Sequence, residues 1–328
     1  MRSVLLLISI VILQSCSTKL LIPMDYRQSY IAEMVHFLAD DRLQGRETGT
    51  QGEKLAADYI ALQFRELALA PAGDNRNGSP TYFQPFQGQE SNHVHGDYQH
   101  DMPSDPKSIN GKNVIGFLDN GAVNTVVFGA HYDHLGFGGP GSLYEGEREI
   151  HNGADDNASG VAVMIYIAKL LKENKVKHSN FLFIAFSGEE KGLWGSNYYS
   201  KNPTHPLSEV NYMINFDMVG RLKNQRLSIN GTGTSAQWAV LDKANPGFVL
   251  IKSESGIGPS DHTSFYLQDI PAIHFFTGQH EDYHKPSDDV GKVNYKGCYE
   301  IAHYVYRIVE KIKGNKITFT KTKDMTPK

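Results

Sequence analysis

Five short apolar runs, at 113–118, 125–130, 181–186, 212–216 and 270–276, are rich in β-branched and aromatic residues and hold few polar positions. A strand with one face in water alternates apolar with polar residues, whereas near-continuous runs of this length fit strands covered on both faces. Stretches of helical length lie between some of them, at 159–173 and 193–200, and a last helix is expected over 299–313. Strands alternating with helices predict an α/β fold: a central, mostly parallel mixed sheet sandwiched between helices.

The remainder of the chain fits one domain over 25–313. Tyr30, Ile31, Met34, Phe37 and Leu38 recur at helical spacing, and Ala56, Ala57, Tyr59, Ile60, Leu62 and Phe64 supply a second helix beyond the loop 43–50. Residues 71–110, polar and rich in Gly, Pro, Asn and His, read as loop with little regular structure, and the Lys-rich stretch 314–328 as a flexible, solvated tail. His93, His95 and His100 read as part of that solvated loop; Trp194 and Trp238 read as core, and Cys298 as a small buried residue.

Composition removes several classes of function. A net charge of −4 gives no basic footprint, so no nucleic-acid partner is expected. Two cysteines, Cys16 and Cys298, exclude a disulfide scaffold and a cysteine-based zinc site. Arg2 precedes an apolar run at 4–13 that is short for a membrane span and ends in Leu13-Gln14-Ser15-Cys16. That ending resembles the lipobox of bacterial lipoproteins. It implies a signal peptide over 1–16, a tether over 17–24, and an exported protein held at the periplasm or cell-envelope surface through a lipidated Cys16.

Chargeable residues cluster where the apolar runs stop. His131-Tyr132-Asp133 follows 125–130, Glu189-Glu190 follows 181–186, Asp217 follows 212–216, and Tyr283-His284 comes shortly after 270–276. Asp155-Asp156 opens the helix at 159–173. Ligands of open α/β sheets bind beyond the carboxyl ends of the strands, so these motifs should meet at one sheet edge. Each has a plainer reading alone, as a turn, a helix cap or a structural histidine. A cap, however, does not need two Asp, an Asn and a Ser together, and a buried unpaired carboxylate such as Asp217 is costly.

His131 is a candidate metal ligand, and Asp133 is expected to accept its second ring N–H. One residue of Asp155-Asp156 is free to bridge two ions. Neighbours on an extended segment point apart, so one of Glu189 and Glu190 can bind metal while the other serves as a base. Three carboxylates and a hydroxide would balance two divalent ions, which minimises the penalty of burying the site.

Together the motifs His131-x-Asp133, Asp156-Asn157-Ala158-Ser159-Gly160, Gly188-Glu189-Glu190, Asn215-Phe216-Asp217 and Tyr283-His284, in this order, resemble the di-zinc aminopeptidase family, with secreted leucyl aminopeptidases, glutamate carboxypeptidases and glutaminyl cyclases among its members. The resemblance runs over about residues 27–310. It implies two Zn2+ ions per chain, with cobalt or manganese as possible substitutes. Asp156 would bridge, His131 and Asp217 would hold one ion, and Glu190 and His284 the other. Glu189 would be the general base and Tyr283 an oxyanion stabiliser, acting on a peptide substrate with a free N-terminus. Ser260-Asp261-His262 resembles a stretch near the family's site, with no chemistry assigned. Two neighbouring chemistries compete: a glutaminyl cyclase would use one zinc, and a carboxypeptidase or dipeptidase would need a basic pocket, for which Arg46, Arg148 and Arg221 are candidates. A non-catalytic surface lipoprotein is opposed by the presence of both Glu189 and Glu190. Preferred side chain and oligomeric state have no signature in the sequence.

Overall fold

The computed structural model describes residues 26–89 and 108–323, so the lipobox-like segment with Cys16 and the histidines 93, 95 and 100 lie outside the described residues. The strands are β1 (Ala70–Pro71), β2 (Asn75–Arg76), β3 (Ser79–Pro80), β4 (Phe83–Gln89), β5 (Ser108–Leu118), β6 (Thr125–His131), β7 (Asn180–Phe186), β8 (Val210–Phe216), β9 (Arg226–Asn230), β10 (Val249–Lys252) and β11 (Ala272–Phe276). The helices are α1 (Tyr26–Leu38), α2 (Gln51–Glu66), α3 (Gly160–Glu173), α4 (Trp194–Lys201), α5 (Val240–Ala244), α6 (His262–Tyr266) and α7 (Tyr295–Ile312).

Nine strands form one mixed sheet in the order β1-β5-β7-β6-β8-β11-β9-β10, with β4 also paired to β5. The centre, β7-β6-β8-β11, is parallel, and antiparallel pairs lie on either side of it. Every residue of β6, β7 and β8 is buried, as their continuous apolar character requires. On one face α1, α3 and α7 pack together, with Val161, Ile165, Ile301, Val305 and Ile308 fully buried. On the other, Phe265 of α6 and Tyr199 of α4 stack beside Phe186.

Three expectations are corrected. Residues 71–110 are not a bare loop where described: β2 and β3 form a small hairpin, and β4 pairs with β5 from Phe83↔Val114 to Gln89↔Ser108. Strand β4 carries Pro85 and Gly88, which edge strands tolerate and which hide the pattern. Helix α7 begins a turn earlier than 299, because the Asn294 side chain accepts the Gly297 N–H and caps it. The stretch after 313 is not frayed through residue 322. Ile317 is buried, its N–H bonds the Asn211 side chain, and Thr320 N–H bonds the Thr234 carbonyl.

Candidate active site

The parallel strands deliver the first residues of the site. His131 ends β6 opposite Phe186 of β7, and Asp217 is the first residue past β8. Glu189 and Glu190 stand just beyond β7 in a turn that closes through Gly192 and Leu193 N–H groups on the Glu189 carbonyl. The pair is therefore in a turn rather than an extended segment, yet the two carboxylates diverge as expected. Glu190 Oε2 lies 3.2 Å from His284 Nε2, while Glu189 Oε2 lies 3.9 Å from His131 Nε2.

Asp156 arrives differently. The irregular turn 154–159 before α3 is pinned by Asp288, whose Oδ2 accepts the N–H groups of both Asp155 and Asp156 at 2.9 and 3.0 Å. Asp155 then points away, accepting the Gly220 N–H at 2.6 Å and the Ser159 hydroxyl at 2.9 Å, with His280 3.1 Å off. Asn157 serves as the cap, accepting the Gly160 and Met218 N–H groups. Asp156 is left facing the site. Its Oδ1 is 3.3 Å from His131 Nε2 and its Oδ2 3.3 Å from His284 Nε2.

Two triads result, sharing one carboxylate. His131 Nε2 sits 3.3 Å from both Asp156 Oδ1 and Asp217 Oδ1; His284 Nε2 sits 3.3 Å from Asp156 Oδ2 and 3.2 Å from Glu190 Oε2. Ligand atoms of His131, Asp156 and Glu190, and likewise of His131, Glu189 and Asp217, lie within 4.8 Å of one another, close enough to surround a metal ion. Tyr283 stacks on His284 with ring centroids 3.8 Å apart. A cavity of about 260 Å³ opens onto all of these residues.

One orienting contact differs from expectation. The Asp133 carboxylate is 3.7 Å from His131 Nδ1, beyond hydrogen-bond reach, and the ring instead lies 3.2 Å from the Asp133 main-chain carbonyl. The carboxylate accepts the Thr48 hydroxyl at 2.9 Å and the Glu189 N–H at 3.1 Å, so it fixes the turn that carries Glu189. His284 is held through Nδ1, 2.6 Å from the Gly141 carbonyl. His134, 2.7 Å from Glu190 Oε1, was not anticipated, and Ser260, expected near the site with no chemistry assigned, donates its hydroxyl to Asp217 Oδ2 at 2.7 Å. The Asp288 anchor was also missed; Arg221 joins it to Asp282 across ion pairs of 2.9 and 3.1 Å. The resemblance of 260–262 to a stretch near the site is the signal that points to Ser260.

The electrostatics of the site favour positive charge among its carboxylates. Burial works against a proton on His131, yet Glu189, Asp217, Asp133 and Asp156 together hold its pKa well above the usual histidine range. Burial opposes protonation of His284 too, but Glu190 and Asp156 push it up to about 11. Burial would raise Asp156, and its bonds to the two histidines pull it well below the ordinary carboxylate range. Glu189 moves the other way: burial, reinforced by Asp217, Glu190 and Asp261 against the pull of His131, raises it well above 4.5. The carboxylates thus favour positive charge at both buried imidazoles. Divalent cations would supply the same charge and leave each ring a neutral ligand, so the donor set fits a metal centre.

The arginines named as candidates for a carboxylate pocket are spent elsewhere. Arg46 is fully buried and donates to the carbonyls of Leu38, Tyr132, Asn152 and Gly153. Arg148 lies over the Phe137 ring, and Arg221 is engaged with Asp282 and Asp288. Among the described residues no Lys or Arg lines the cavity. Trp238 is buried, its indole N–H bonded to Thr234, and Cys298 is buried and free. Among the described residues no helix is long and apolar enough to cross a membrane.

The sequence profile described as Peptidase family M28 matches residues 113–309, which hold every residue of the two triads. The uncharacterized protein YfbL of Escherichia coli (strain K12) is 25% identical over 239 residues, covering 60% of this chain and 70% of that protein. Aminopeptidase YwaD of Bacillus subtilis (strain 168) is 30% identical over 215 residues, covering 61% of this chain but 44% of the relative, so the chain spans less than half the length of that aminopeptidase. In fold, the chain is similar to the aminopeptidase from Aneurinibacillus sp. strain AM-1, with a TM-score of 0.66 at 17% identity, 90% of this chain and 95% of that one. It is equally similar to the glutaminyl cyclase of Porphyromonas gingivalis, with a TM-score of 0.67 at 19% identity, 87% of this chain and 98% of that one.

Proposed function

The chain belongs to peptidase family M28, and from that premise we propose that it is a zinc-dependent aminopeptidase. The observation that carries the reading is the pair of triads sharing Asp156, with Glu189 beside His131 and Asp217 as a further carboxylate. His131, Asp217 and one oxygen of Asp156 would hold one ion; Glu190, His284 and the other oxygen of Asp156 would hold a second. When bound, such ions lower the pKa of water and polarise a carbonyl.

The remaining work belongs to the protein's own groups. Glu189, its turn anchored by Asp133, takes a proton from the attacking water and returns it to the departing amine. A buried carboxyl whose pKa is raised is suited to hold that proton between the two transfers. Tyr283, at the cavity wall, offers its hydroxyl to the charge that grows on the carbonyl oxygen. Hydrogen bonds to the Glu189 main chain and to the His284 ring hold the turn and the imidazole in place before substrate arrives. With no Lys or Arg among its described lining, the cavity offers no basic side chain to a substrate carboxylate, which favours an aminopeptidase over a carboxypeptidase.

The test pairs metal content with substrate form. Dialysed protein should retain near two equivalents of zinc and cleave dipeptide amides only when the α-amine is free. Efficient cleavage of the N-acetylated amide would overturn the aminopeptidase reading, and one equivalent with full activity would overturn the two-ion centre. Loss of ammonia from an N-terminal glutamine without peptide cleavage would instead favour cyclase chemistry.

A further inference from the structure

One buried guanidinium joins the strand that carries His131 to the turn that carries Asp156. Arg46 is fully buried, and four hydrogen bonds run from it to carbonyls of three separate segments. Nε donates to Tyr132 at 2.8 Å, one residue past the end of β6. Nη1 donates to Asn152 at 2.6 Å and Nη2 to Gly153 at 3.0 Å, at the start of the turn. Nη1 also reaches Leu38, the last residue of α1, whose carbonyl has no partner within the helix.

The turn is gripped from two sides with opposite polarity. Arg46 binds the carbonyls of Asn152 and Gly153, while Asp288 accepts the N–H groups of Ala154, Asp155 and Asp156. The Gly153 carbonyl also accepts the Ala158 N–H at 3.2 Å, which closes the turn around Asp156. Arg46 itself is held in an unfavourable setting. None of its four acceptors is charged, and taking a cation out of water is costly. Burial lowers its pKa to about 10, with Asp133, Asp156, Asp288 and Glu190 pulling the other way, so it stays protonated at neutral pH. Its φ is 51°, in the left-handed region that residues with a Cβ seldom adopt. Backbone outliers of this kind gather at functional sites.

Resting on the two-ion reading of the site, we propose that Arg46 is a positioning residue: its fork sets the separation of His131 and Asp156, and so lets one carboxylate serve both triads. The planar guanidinium directs its donors in fixed directions, which a single ammonium on a flexible stem cannot do. With the fork in place, Asp156 Oδ1 lies 3.3 Å from His131 Nε2 and its Oδ2 lies 3.3 Å from His284 Nε2. Without it, Asp288 holds the N–H side of the turn alone, and nothing ties the carbonyl side to the end of β6. Asp156 can then follow one histidine and leave the other. One triad keeps its shared carboxylate and the second loses it.

The experiment measures zinc affinity of the full chain by competition with a chelator, beside its stability in urea. Wild type should bind two equivalents. Arg46→Lys keeps the charge and loses the fork. It should hold one equivalent nearly as wild type does and the other about 10–100-fold more weakly. Arg46→Gly suits the left-handed backbone and leaves a space shaped for guanidinium, and it serves if the lysine variant does not fold. It should show the same split, and added guanidinium should restore the weakened equivalent where methylammonium does not. Lower stability with both zinc affinities intact would make Arg46 a residue of the fold alone and overturn the proposal. Equal weakening of both equivalents would overturn it, as would equal rescue by the two cations, which would make charge rather than the fork decisive. Failure of both variants to fold would do the same. A wild type that binds one equivalent would remove the two-ion reading itself, and the role of Arg46 with it.

Discussion

His131, Glu190 and Asp217 leave the ends of three adjacent parallel strands, whereas Asp156 and His284 sit on connections that no strand ladder fixes. On the strand side, position follows from register. His131 is locked opposite Phe186, and Asp217 N–H still bonds the Phe275 carbonyl of the next strand. On the loop side, position depends on side chains far apart in sequence. Asp288 holds the backbone of Asp155 and Asp156, Arg221 ties Asp288 to Asp282, and His280 lies against Asp155. His284 is clasped at its ring by the Gly141 carbonyl and at its own carbonyl by the Leu143 N–H. The strand half is thus organised by folding the sheet, with the Asp133 carboxylate steadying the turn that carries Glu190, and the loop half by a polar network that can be cut at one residue without touching a ligand.

The largest expected effect lies on the strand side. Glu189→Gln keeps shape but removes the base, and both triads are left whole. Turnover should fall by about 10²–10⁴-fold, the usual contribution of a positioned acid–base group. Folding and metal content should match wild type, measured by circular dichroism and elemental analysis. Undiminished turnover would show that the proton is carried elsewhere.

The next effect tests the loop side. Asp288→Ala removes the acceptor for two backbone N–H groups and one partner of Arg221. Metal affinity should drop about 10–100-fold, as for other residues that orient ligands. Amides at Leu143, Ala154 and Asp156 should exchange with deuterium faster, while Ala130 and Phe186 in the central strands stay protected. Asp288→Asn, which keeps one acceptor oxygen, should fall between the two and provides the reading if the alanine variant does not fold. Equal exchange in both halves would dissolve the distinction between them.

The same division explains what the sequence made legible. The four central strands are buried on both faces, so burial wrote them as apolar runs, and for three of them a ligand soon after the run was visible as a polar residue out of place. Strands toward the sheet's two margins carry no such mark. Strand β9 alternates exposed and buried residues, β10 is mostly exposed, and β4 contains Pro85, so none of them stood out. The Asp133 carboxylate was assigned to His131 by proximity in sequence, but the main-chain carbonyl of the same residue is nearer the ring. The Asp288–Arg221–Asp282 network is a matter of tertiary approach between segments more than sixty residues apart, and no local pattern announces it.

The smallest expected effect is the sharpest check on the comparison. Ser260 also acts on a ligand without being one, donating to Asp217 Oδ2 and accepting from Asn215. It therefore resembles Asp288 in kind, but the ligand it steadies is strand-borne. Ser260→Ala deletes one hydrogen bond to an ionised group, a loss of about 1.5–3 kcal/mol if nothing else holds the carboxylate. Asp217 is also held by its backbone bond to Phe275 and by the His131 ring 3.3 Å away, so much of that loss should not appear. Metal affinity should fall by less than about 10-fold, below the Asp288→Ala effect. Titration of both variants with a competing chelator gives the two numbers side by side. If Ser260→Ala cost as much as Asp288→Ala, the ladder would not be what places the strand-borne ligands, and both halves of the site would depend equally on their side-chain supports.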